Sequence, residues 1–265
     1  MPALQDIRVD HVSYSYDGRL PVLNDVDASF AAGRITAIIG GNGSGKSTLL
    51  HTMARLLTPR EGAVIIDRGN IHSLAPRIAA QSVGILLQEP ETMDDLTVYD
   101  VVVQGRYPYR RFLKGLLPED QSAVHAALRR VQLLDLSSRK LHTLSGGQKQ
   151  RVWIALLLAQ DSDYLLLDEP TTFLDLAHQI ETLDIVSRLN RERGKTVVMV
   201  LHDINQAIMY ADHLVVMKEG HILRTGTPEE IVDSHLIQEA FGVSCQVVCH
   251  PQGGCKYCVP LRARR

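Results

Sequence analysis

An eight-residue stretch, GGNGSGKS at positions 40–47, has the residue types and the spacing needed to hold a chain of phosphates. It fits the pattern G-x-x-x-x-G-K-S/T with Gly40, Gly45, Lys46 and Ser47. Glycines let backbone N–H groups curl around phosphate oxygens, and a helix N-terminus adds positive potential. The lysine of this motif reaches the β- and γ-phosphates, and the hydroxyl that follows is a ligand for Mg²⁺. The motif predicts a nucleoside-triphosphate site; the alternative is a glycine-rich turn that matches by chance.

Two adjacent carboxylates end an apolar segment, YLLLDEP at 164–170. We expect Asp168 to hold Mg²⁺, usually through water. We expect Glu169 to act as a base or to polarise an attacking water. The alternative is an acidic strand end that caps the next helix. Together with the glycine-rich loop, the acidic pair predicts a nucleoside-triphosphatase.

The pentapeptide LSGGQ at 144–148 predicts the start of a helix. Ser145 can cap the helix and Gln148 can complete a capping box, while Gly146 and Gly147 leave backbone N–H groups accessible. Such a helix start is a second cradle for phosphate. Two cradles in one chain favour a pair of chains that share two nucleotides, each site being built from both chains.

All four cysteines lie within fourteen residues near the end of the chain, with the spacing C-x3-C-x5-C-x2-C. This clustering predicts one metal centre. A 4Fe–4S cluster is the first candidate, because it needs only cysteine ligands, and zinc is the second. Free thiols or a regulatory disulfide are the third interpretation, and His250 is a spare ligand. The proposed ligands are Cys245, Cys249, Cys255 and Cys258.

The elements that must position these residues alternate between strands and helices. Short apolar runs rich in Val, Ile and Leu suit buried strands of a parallel sheet, and they occur at 35–40, 164–169 and 196–203. Helix-like spacing of apolar residues occurs at 118–136 and at 176–194. The alternation predicts an α/β fold.

Finer signals mark where several of these elements begin and end. Gly194 is a good helix C-cap, and residues 213–226 alternate as in a hairpin. Thr227 and Glu230 predict a capping box around a further helix. Residues from about 88 to 155 are predicted to be mostly helical, as an insertion in the sheet.

The overall composition places few restrictions on function. The chain has 265 residues, 45% of them hydrophobic and 22% charged, with a net charge of −2. This charge gives no general argument for binding to nucleic acid. We find neither a signal-peptide pattern nor an apolar run long enough to span a membrane, so we expect a cytosolic protein. That expectation disfavours structural disulfides and favours metal binding by the cysteines.

In this order, the motifs resemble those of the ATP-binding subunits of ABC transporters, over about residues 5–240. The resemblance implies a P-loop NTPase (RecA-like) core, about 1–87 and 156–240, with a helical insertion subdomain at about 88–155 and an antiparallel β edge. Residues 241–265 would form a short tail that contains the cysteines. It also implies ATP and Mg²⁺ as ligands and a head-to-tail dimer of two copies.

The resemblance further implies roles for individual residues. Tyr16 would stack on adenine, Gln88 would contact Mg²⁺ and the attacking water, Asp175 would cross the dimer interface, and His202 would contact the γ-phosphate. The remaining residues of the phosphate-binding loop that would contact the nucleotide are Asn42, Gly43, Ser44 and Thr48. Tyr16 as a strand aromatic and His202 as a core histidine are the structural alternatives.

Three segments are similar to those of importers for iron–siderophore, haem and cobalamin: GRYPYRR at 105–111, PTTFLDLAHQ at 170–179 and the ending FGV…VP at 241–260. This similarity implies integral membrane permease subunits, an external substrate-binding protein and a position on the cytoplasmic face of the membrane. The sequence departs from these importers in two places. Leu87 and Glu89 flank Gln88 where relatives often carry proline and a small residue, and the tail carries cysteines where relatives carry a short apolar strand ending. Neither departure affects the catalytic set.

Alternative interpretations remain for the basic stretch and for the function. The stretch contains aromatic residues as well as Arg106, Arg110, Arg111 and Lys114, and it is interpreted as a docking surface, a solvated face or an RNA contact, in that order. A soluble ABC ATPase acting on nucleic acid or ribosomes, and a metal-sensing ATPase, are the alternatives to a transporter subunit.

Overall fold

The computed structural model describes residues 5–67, 69–88, 95–110, 115–249 and 256–261. The strands in these ranges are β1 (Ile7–Tyr14), β2 (Leu23–Phe30), β3 (Ile35–Gly40), β4 (Glu61–Ile66), β5 (Gly69–Asn70), β6 (Val83–Leu86), β7 (Tyr164–Asp168), β8 (Thr196–Val200), β9 (His213–Lys218), β10 (His221–Gly226), β11 (Cys245–Cys249) and β12 (Lys256–Pro260). The α-helices are α1 (Lys46–Met53), α2 (Pro76–Ser82), α3 (Val98–Val102), α4 (Pro118–Arg130), α5 (Gly146–Gln160), α6 (Leu176–Arg193), α7 (Ile204–Tyr210), α8 (Pro228–Ile231) and α9 (Ser234–Phe241).

A six-stranded sheet with the order β10-β9-β3-β8-β7-β6 forms the centre of the fold. The pairs from β9 to β6 are parallel, and β10 adds an antiparallel edge. Both faces of the sheet are covered, since Leu166 of β7 joins one hydrophobic cluster and Leu165 joins the other. Covered faces explain the continuous apolar runs, and the three predicted strands are confirmed. The last one is shorter than predicted and ends at Val200.

One face of this sheet packs against α1 and a second, four-stranded antiparallel sheet with the order β2-β1-β4-β5. Strand β1 buries Ile7, Val9 and Val12, and its pairing with β2 and with β4 contains register shifts. The shifts break the period-two pattern. Strand β1 lies beside the central sheet. The chain that follows Tyr14 leads to the mouth of the phosphate-binding loop.

The opposite face packs against helices. Helices α3, α4 and α5 lie between β6 and β7 in the chain, and the described residues there form no strand. The predicted helical insertion is therefore confirmed for its described part. Helix α4 ends at Arg130, earlier than predicted, and Gln132 turns the chain with φ of 57°. Val131 and Leu133 remain buried beyond the helix end, which accounts for the longer apolar pattern.

The predicted helix termini are confirmed. Capping boxes join Ser145 to Gln148 at the start of α5 and Thr227 to Glu230 at the start of α8. Gly194 ends α6 in the left-handed conformation, with φ of 64°. These local signals fix where α5 and α6 begin and end, and so fix the loops that precede them.

The end of the chain forms an antiparallel hairpin of β11 and β12, which packs against α7 and α9. Asn205 of α7 accepts a hydrogen bond from the backbone N–H of Cys258 at 2.8 Å and donates one to its carbonyl at 3.1 Å. Among the helices in the described ranges, none is long and apolar enough to cross a membrane.

Candidate nucleotide site

The loop between β3 and α1 is tightly wound, and its glycines explain how. Gly40 has φ of 152°, and a Cβ there would lie 2.2 Å from the Met217 carbonyl oxygen. Gly45 has φ of 98°, and a Cβ there would lie 2.9 Å from the Val22 carbonyl oxygen. Both positions require glycine for backbone conformation and for space. The loop can therefore approach its neighbours and present its N–H groups at the start of α1.

Lys46 is buried in this loop. Its Nζ donates to the carbonyl oxygens of Gly40 at 3.0 Å and Gly41 at 2.9 Å. Burial lowers the pKa of the Lys46 ammonium, and the charges of Glu169 and Asp168 oppose that shift. Nearby, the Ser44 hydroxyl is buried and has no hydrogen-bond partner among the described residues. A buried cation beside an unpartnered buried hydroxyl suits an anionic ligand such as a polyphosphate.

Asp168 lies at the end of β7, facing α1, and its side chain is almost fully buried. The Ser47 hydroxyl donates to its Oδ1 at 2.9 Å, and His51 Nε2 lies 2.8 Å from its Oδ2. Ser47 and His51 are four residues apart on α1 and therefore share one face of the helix. The adjacent serine hydroxyl and carboxylate are hard oxygen ligands of the kind that Mg²⁺ binds, so the residues present fit that ion.

His51 was not among the residues predicted from the sequence. A histidine in the middle of a helix has no motif of its own. The signal that could have identified it is its position, four residues after Ser47, on the same face of a helix that points at Asp168.

Glu169 follows Asp168 in the left-handed region, with φ of 51°. Its carboxylate accepts hydrogen bonds from Gln88 Nε2 at 2.6 Å and from Thr172 Oγ1 at 3.0 Å. His202 Nε2 contacts the other carboxylate oxygen. The structure thus brings Gln88, Glu169 and His202 together.

Glu169 and His202 line one open cleft of about 400 Å³, together with the phosphate-binding loop. Tyr16 borders it with a ring that is 64% exposed. The Tyr16 hydroxyl lies 3.2 Å from Thr48 Oγ1, and its ring stands edge-on against Tyr14. The ring face is thereby held accessible at the mouth. The residues that line the cleft are Tyr16, Val22, Asn42, Gly43, Gly45, Lys46, Ser47, Thr48, Glu169 and His202.

Within the described part of the chain, the second predicted cradle lies outside this cleft. Ser145 and Gly146 are exposed at the start of α5, whereas Gly147 is buried. Asp175 caps α6 and is exposed; the backbone N–H of His178 and then its ring lower the pKa of the Asp175 carboxyl. Ser145–Gln148 and Asp175 therefore cannot complete the nucleotide site of their own chain in this arrangement.

The cysteines are distributed differently from the prediction. Cys245 and Cys258 are buried together against Ile237, and their thiols are hydrogen-bonded. Cys249 is exposed, and Cys255 lies outside the described residues. Among the described residues, no group of three potential metal ligands includes a cysteine. The described cysteines therefore give a buried pair and a separate thiol, without support for one four-thiolate centre.

The basic stretch is likewise not one charged face. Arg106 is largely buried: it donates to Asp120 Oδ1 at 2.9 Å and to the Ala159 carbonyl at 2.8 Å, and it stacks on Tyr109. The Arg106 charge is therefore paired with Asp120 inside the helical insertion. Arg110 packs at the ring of Tyr107, which is 71% exposed, while Arg111 and Lys114 lie outside the described residues.

Comparison with known proteins agrees with this geometry. The model of the ABC transporter family matches residues 23–172. The ferric enterobactin transport ATP-binding protein FepC of Escherichia coli (strain K12) is 43% identical over 96% of this chain and 94% of its own.

Solved structures match as well. A metal-chelate type ABC transporter in an inward-facing conformation has a TM-score of 0.85, with 26% identity over 98% of each chain. The dimer of a bacterial ABC transporter cassette has a TM-score of 0.74, with 31% identity over 83% of this chain and 98% of that one. The chain belongs to the ABC transporter family, as an ATP-binding subunit that hydrolyses ATP to drive transport.

Proposed function

We propose that this chain is the ATPase of an importer that carries iron–siderophore complexes. FepC, 43% identical, is named for ferric enterobactin, and the structure with the highest TM-score quoted above is of a metal-chelate type transporter. The proposal of ATP hydrolysis rests on the position of Glu169. Its carboxylate contacts Gln88 and His202, and Glu169 lines the same cleft as Lys46.

In this proposal each side chain at the site has an assigned role. Ser47, Asp168 and Gln88 would hold Mg²⁺, and the ion would supply positive charge at the phosphates. Glu169 accepts a proton from the attacking water, and Gln88 orients that water. His202 holds the Glu169 carboxylate and contacts the γ-phosphate. Tyr16 stacks on the adenine. The nucleotide-binding set also contains Gly40, Asn42, Gly43, Ser44, Gly45, Lys46, Thr48, Ser145, Gly146, Gly147, Gln148 and Asp175.

The proposed active unit is a head-to-tail dimer. The start of α5 is a helix N-terminus at which Ser145 and Gly146 are exposed, and in its own chain it lies away from the cleft. In the dimer, Ser145 and Gly147 would face the ATP held by Lys46 of the partner subunit, and Asp175 would cross the interface. This arrangement gives each of the two cradles a phosphate to bind.

We also propose the position of the dimer in the transporter. It would bind integral permease subunits at the cytoplasmic face of the membrane and contact the external binding protein only through them. The helical insertion, at about residues 88–155, would be the subdomain that docks, and the exposed Tyr107 ring is a suitable apolar contact. The core would comprise residues 1–87 and 156–240, with 241–265 as the tail.

A metal centre in the tail remains a separate proposal. The buried, adjacent thiols of Cys245 and Cys258 support it, and the exposed position of Cys249 limits the support to two ligands among the described residues. Anaerobic purification and metal analysis test it. About four iron atoms per chain with a broad visible band would indicate a 4Fe–4S cluster, one zinc would indicate a zinc site, and neither metal would reject the centre.

Uptake of a radiolabelled ferric siderophore tests the cargo. A strain that lacks this gene would receive either the parent chain or the Lys46→Ala chain, which cannot hold phosphate. We expect ferric siderophore uptake with the parent chain and none with the Lys46→Ala chain. Background association of the label with the cells should be the same in both strains. Normal siderophore uptake in the strain that lacks the gene would contradict the proposal that siderophores are the cargo.

The same strain distinguishes the alternatives. Loss of haem or cobalamin uptake, with siderophore uptake intact, would move the cargo to those compounds. If no uptake changes and the chain copurifies with ribosomes or nucleic acid, the soluble ATPase becomes the better interpretation. Bound metal without any membrane partner would favour the metal sensor.

A further inference from the structure

His178, two residues into α6, contacts two loops of the proposed shared site at once. Its Nδ1 lies 2.7 Å from Asp175 Oδ1, and its backbone N–H donates to the same oxygen at 3.0 Å. An ionised carboxylate only accepts hydrogen bonds, so Nδ1 carries the proton. The imidazole is therefore fixed to Asp175 at the start of α6.

The other side of the ring covers Gly147. A Cβ built on Gly147 would lie 2.1 Å from Cδ2 of His178 and 2.6 Å from its Cγ. Gly147 is buried, although Ser145 and Gly146 before it are exposed. Glycine is needed at 147 in this arrangement because the imidazole occupies the space of any side chain. One histidine thus sets the distance between the LSGGQ segment and Asp175.

The loop that carries Asp175 is also attached to its surroundings through neutral side chains. Gln150 of α5 donates to the Pro170 carbonyl at 2.8 Å, and Gln179 donates to the Leu174 carbonyl at 3.0 Å. Gln206 of α7 donates to Gln179 at 2.7 Å. The segment from 170 to 175 is thereby connected to α5, α6 and α7. A shift of the α5 start would be transmitted to the loop that follows Glu169.

We propose that His178 is a positioning residue that holds the LSGGQ segment and Asp175 of one chain at a fixed spacing, so that both reach the ATP of the partner subunit together. This inference rests on the proposed shared dimer. It assigns to His178 no contact with the nucleotide. Its effect acts through Gly147 and Asp175.

Two parts of the histidine can be tested separately. His178→Phe keeps a ring over Gly147 and removes the hydrogen bond to Asp175, while His178→Asn keeps a donor and removes the ring. His178→Ala removes both. His235→Ala is the matched control, since that histidine is 81% exposed on α9. Thermal unfolding of every variant would verify that the fold is intact.

The readouts are ATP binding by the monomer and ATP-driven dimerisation in a Glu169→Gln background. We expect His178→Ala to bind a fluorescent ATP analogue like the parent, because Lys46 and its loop are untouched. We expect its dimer dissociation constant to rise by about tenfold or more, since a hydrogen bond and a packed ring are both lost. In the chain with Glu169, kcat should fall while KM for ATP stays unchanged. The Phe variant should recover part of both losses.

Three outcomes overturn the proposal in different ways. A parent that never dimerises with ATP would overturn the shared site and this inference with it. Normal dimerisation and turnover of His178→Ala would overturn the role of His178 alone. Equal loss of monomer ATP binding and of dimerisation would show that the residue supports the fold of the cleft instead.

Discussion

Glu169 is the residue on which the proposed chemistry depends, because three side chains from separate parts of the chain meet at its carboxylate. Gln88, Thr172 and His202 each contact it. Together they fix the carboxylate at the cleft that Lys46 also lines. Such positioning is the larger part of what a protein contributes to phosphoryl transfer.

Replacing Glu169 with glutamine should abolish most turnover while leaving ATP binding intact. The amide cannot take a proton from water, so kcat should fall by about 10²–10⁴. Lys46 and Ser47 are unchanged, so nucleotide affinity should persist. Steady-state phosphate release and equilibrium binding would measure the two effects. Glu192→Gln, on the exposed side of α6, is the control, and turnover of Glu169→Gln within a factor of about two of the parent would refute the role of Glu169.

His51 is predicted to orient Asp168 for Mg²⁺. Its Nε2 lies 2.8 Å from Oδ2, while Ser47 holds Oδ1. Groups that orient a metal ligand typically affect metal affinity by about 10–100-fold. His51→Leu should therefore raise the Mg²⁺ concentration that half-activates the ATPase by about tenfold. His51→Gln, which retains a donor, should recover part of it.

A Mg²⁺ titration at saturating ATP measures this effect. His72→Leu is a useful comparison, because His72 contacts the Thr52 carbonyl instead of a carboxylate. An unchanged Mg²⁺ midpoint in His51→Leu would mean that Ser47 alone holds Asp168 in place.

At the scale of elements, the C-terminal hairpin is fastened to α7, the helix that follows His202. Asn205 makes two hydrogen bonds with the backbone of Cys258, and the two buried thiols fill the space between the hairpin and α9. Burial, and then the hydrogen bond to Cys245, raise the pKa of Cys258 to about 12. A thiol with so high a pKa is scarcely ionised at neutral pH and reacts slowly.

Thiol labelling should therefore separate the cysteines. We expect a maleimide to modify the exposed Cys249 first and Cys258 far more slowly, by peptide mapping after reduction. Asn205→Ala removes both hydrogen bonds to Cys258, so labelling of Cys258 should accelerate. Protein unfolded in guanidinium, in which all cysteines should react alike, is the control. Equal labelling of Cys249 and Cys258 in the folded parent would contradict the buried pair.

The elements that could be predicted from the sequence are those whose signal is local. Strand β3 matches its apolar run, and the caps at Ser145 and Thr227 form as expected. Strand β1 lacks a regular pattern because its pairing shifts register twice along the β2 partner. The sequence predicts a metal-binding loop in the cysteine tail, whereas its described part is a hairpin. Clustered cysteines are the sequence signal both of buried thiols and of a metal site, so the sequence alone does not distinguish the two.

The residues of the candidate site likewise fall into those that the sequence identifies and those that only the fold reveals. Motifs identify the residues that are proposed to contact a ligand, such as Lys46 and Glu169. They do not identify residues that hold these groups in place. His51 and His178 are recognised only when the fold brings them against Asp168 and Gly147.

At the scale of the molecule, the proposal is that one chain supplies two incomplete halves of an ATP site. The cleft with Lys46 and Glu169 lies on one part of the surface, and the described cleft lining contains no residue from 145 to 148. In this proposal a single chain binds ATP in the cleft and lacks a second cradle at the phosphates. A head-to-tail pair supplies both halves twice, so ATP would hold the two chains together.

Native mass spectrometry of Glu169→Gln with Mg²⁺ and saturating ATP tests this central claim most directly. We predict a dimer that contains two ATP molecules, whereas the same chain with Ser145→Arg added stays a monomer with one ATP. A Glu169→Gln chain that remains a monomer with one bound ATP, or a Ser145→Arg chain that dimerises equally well, would contradict the shared site.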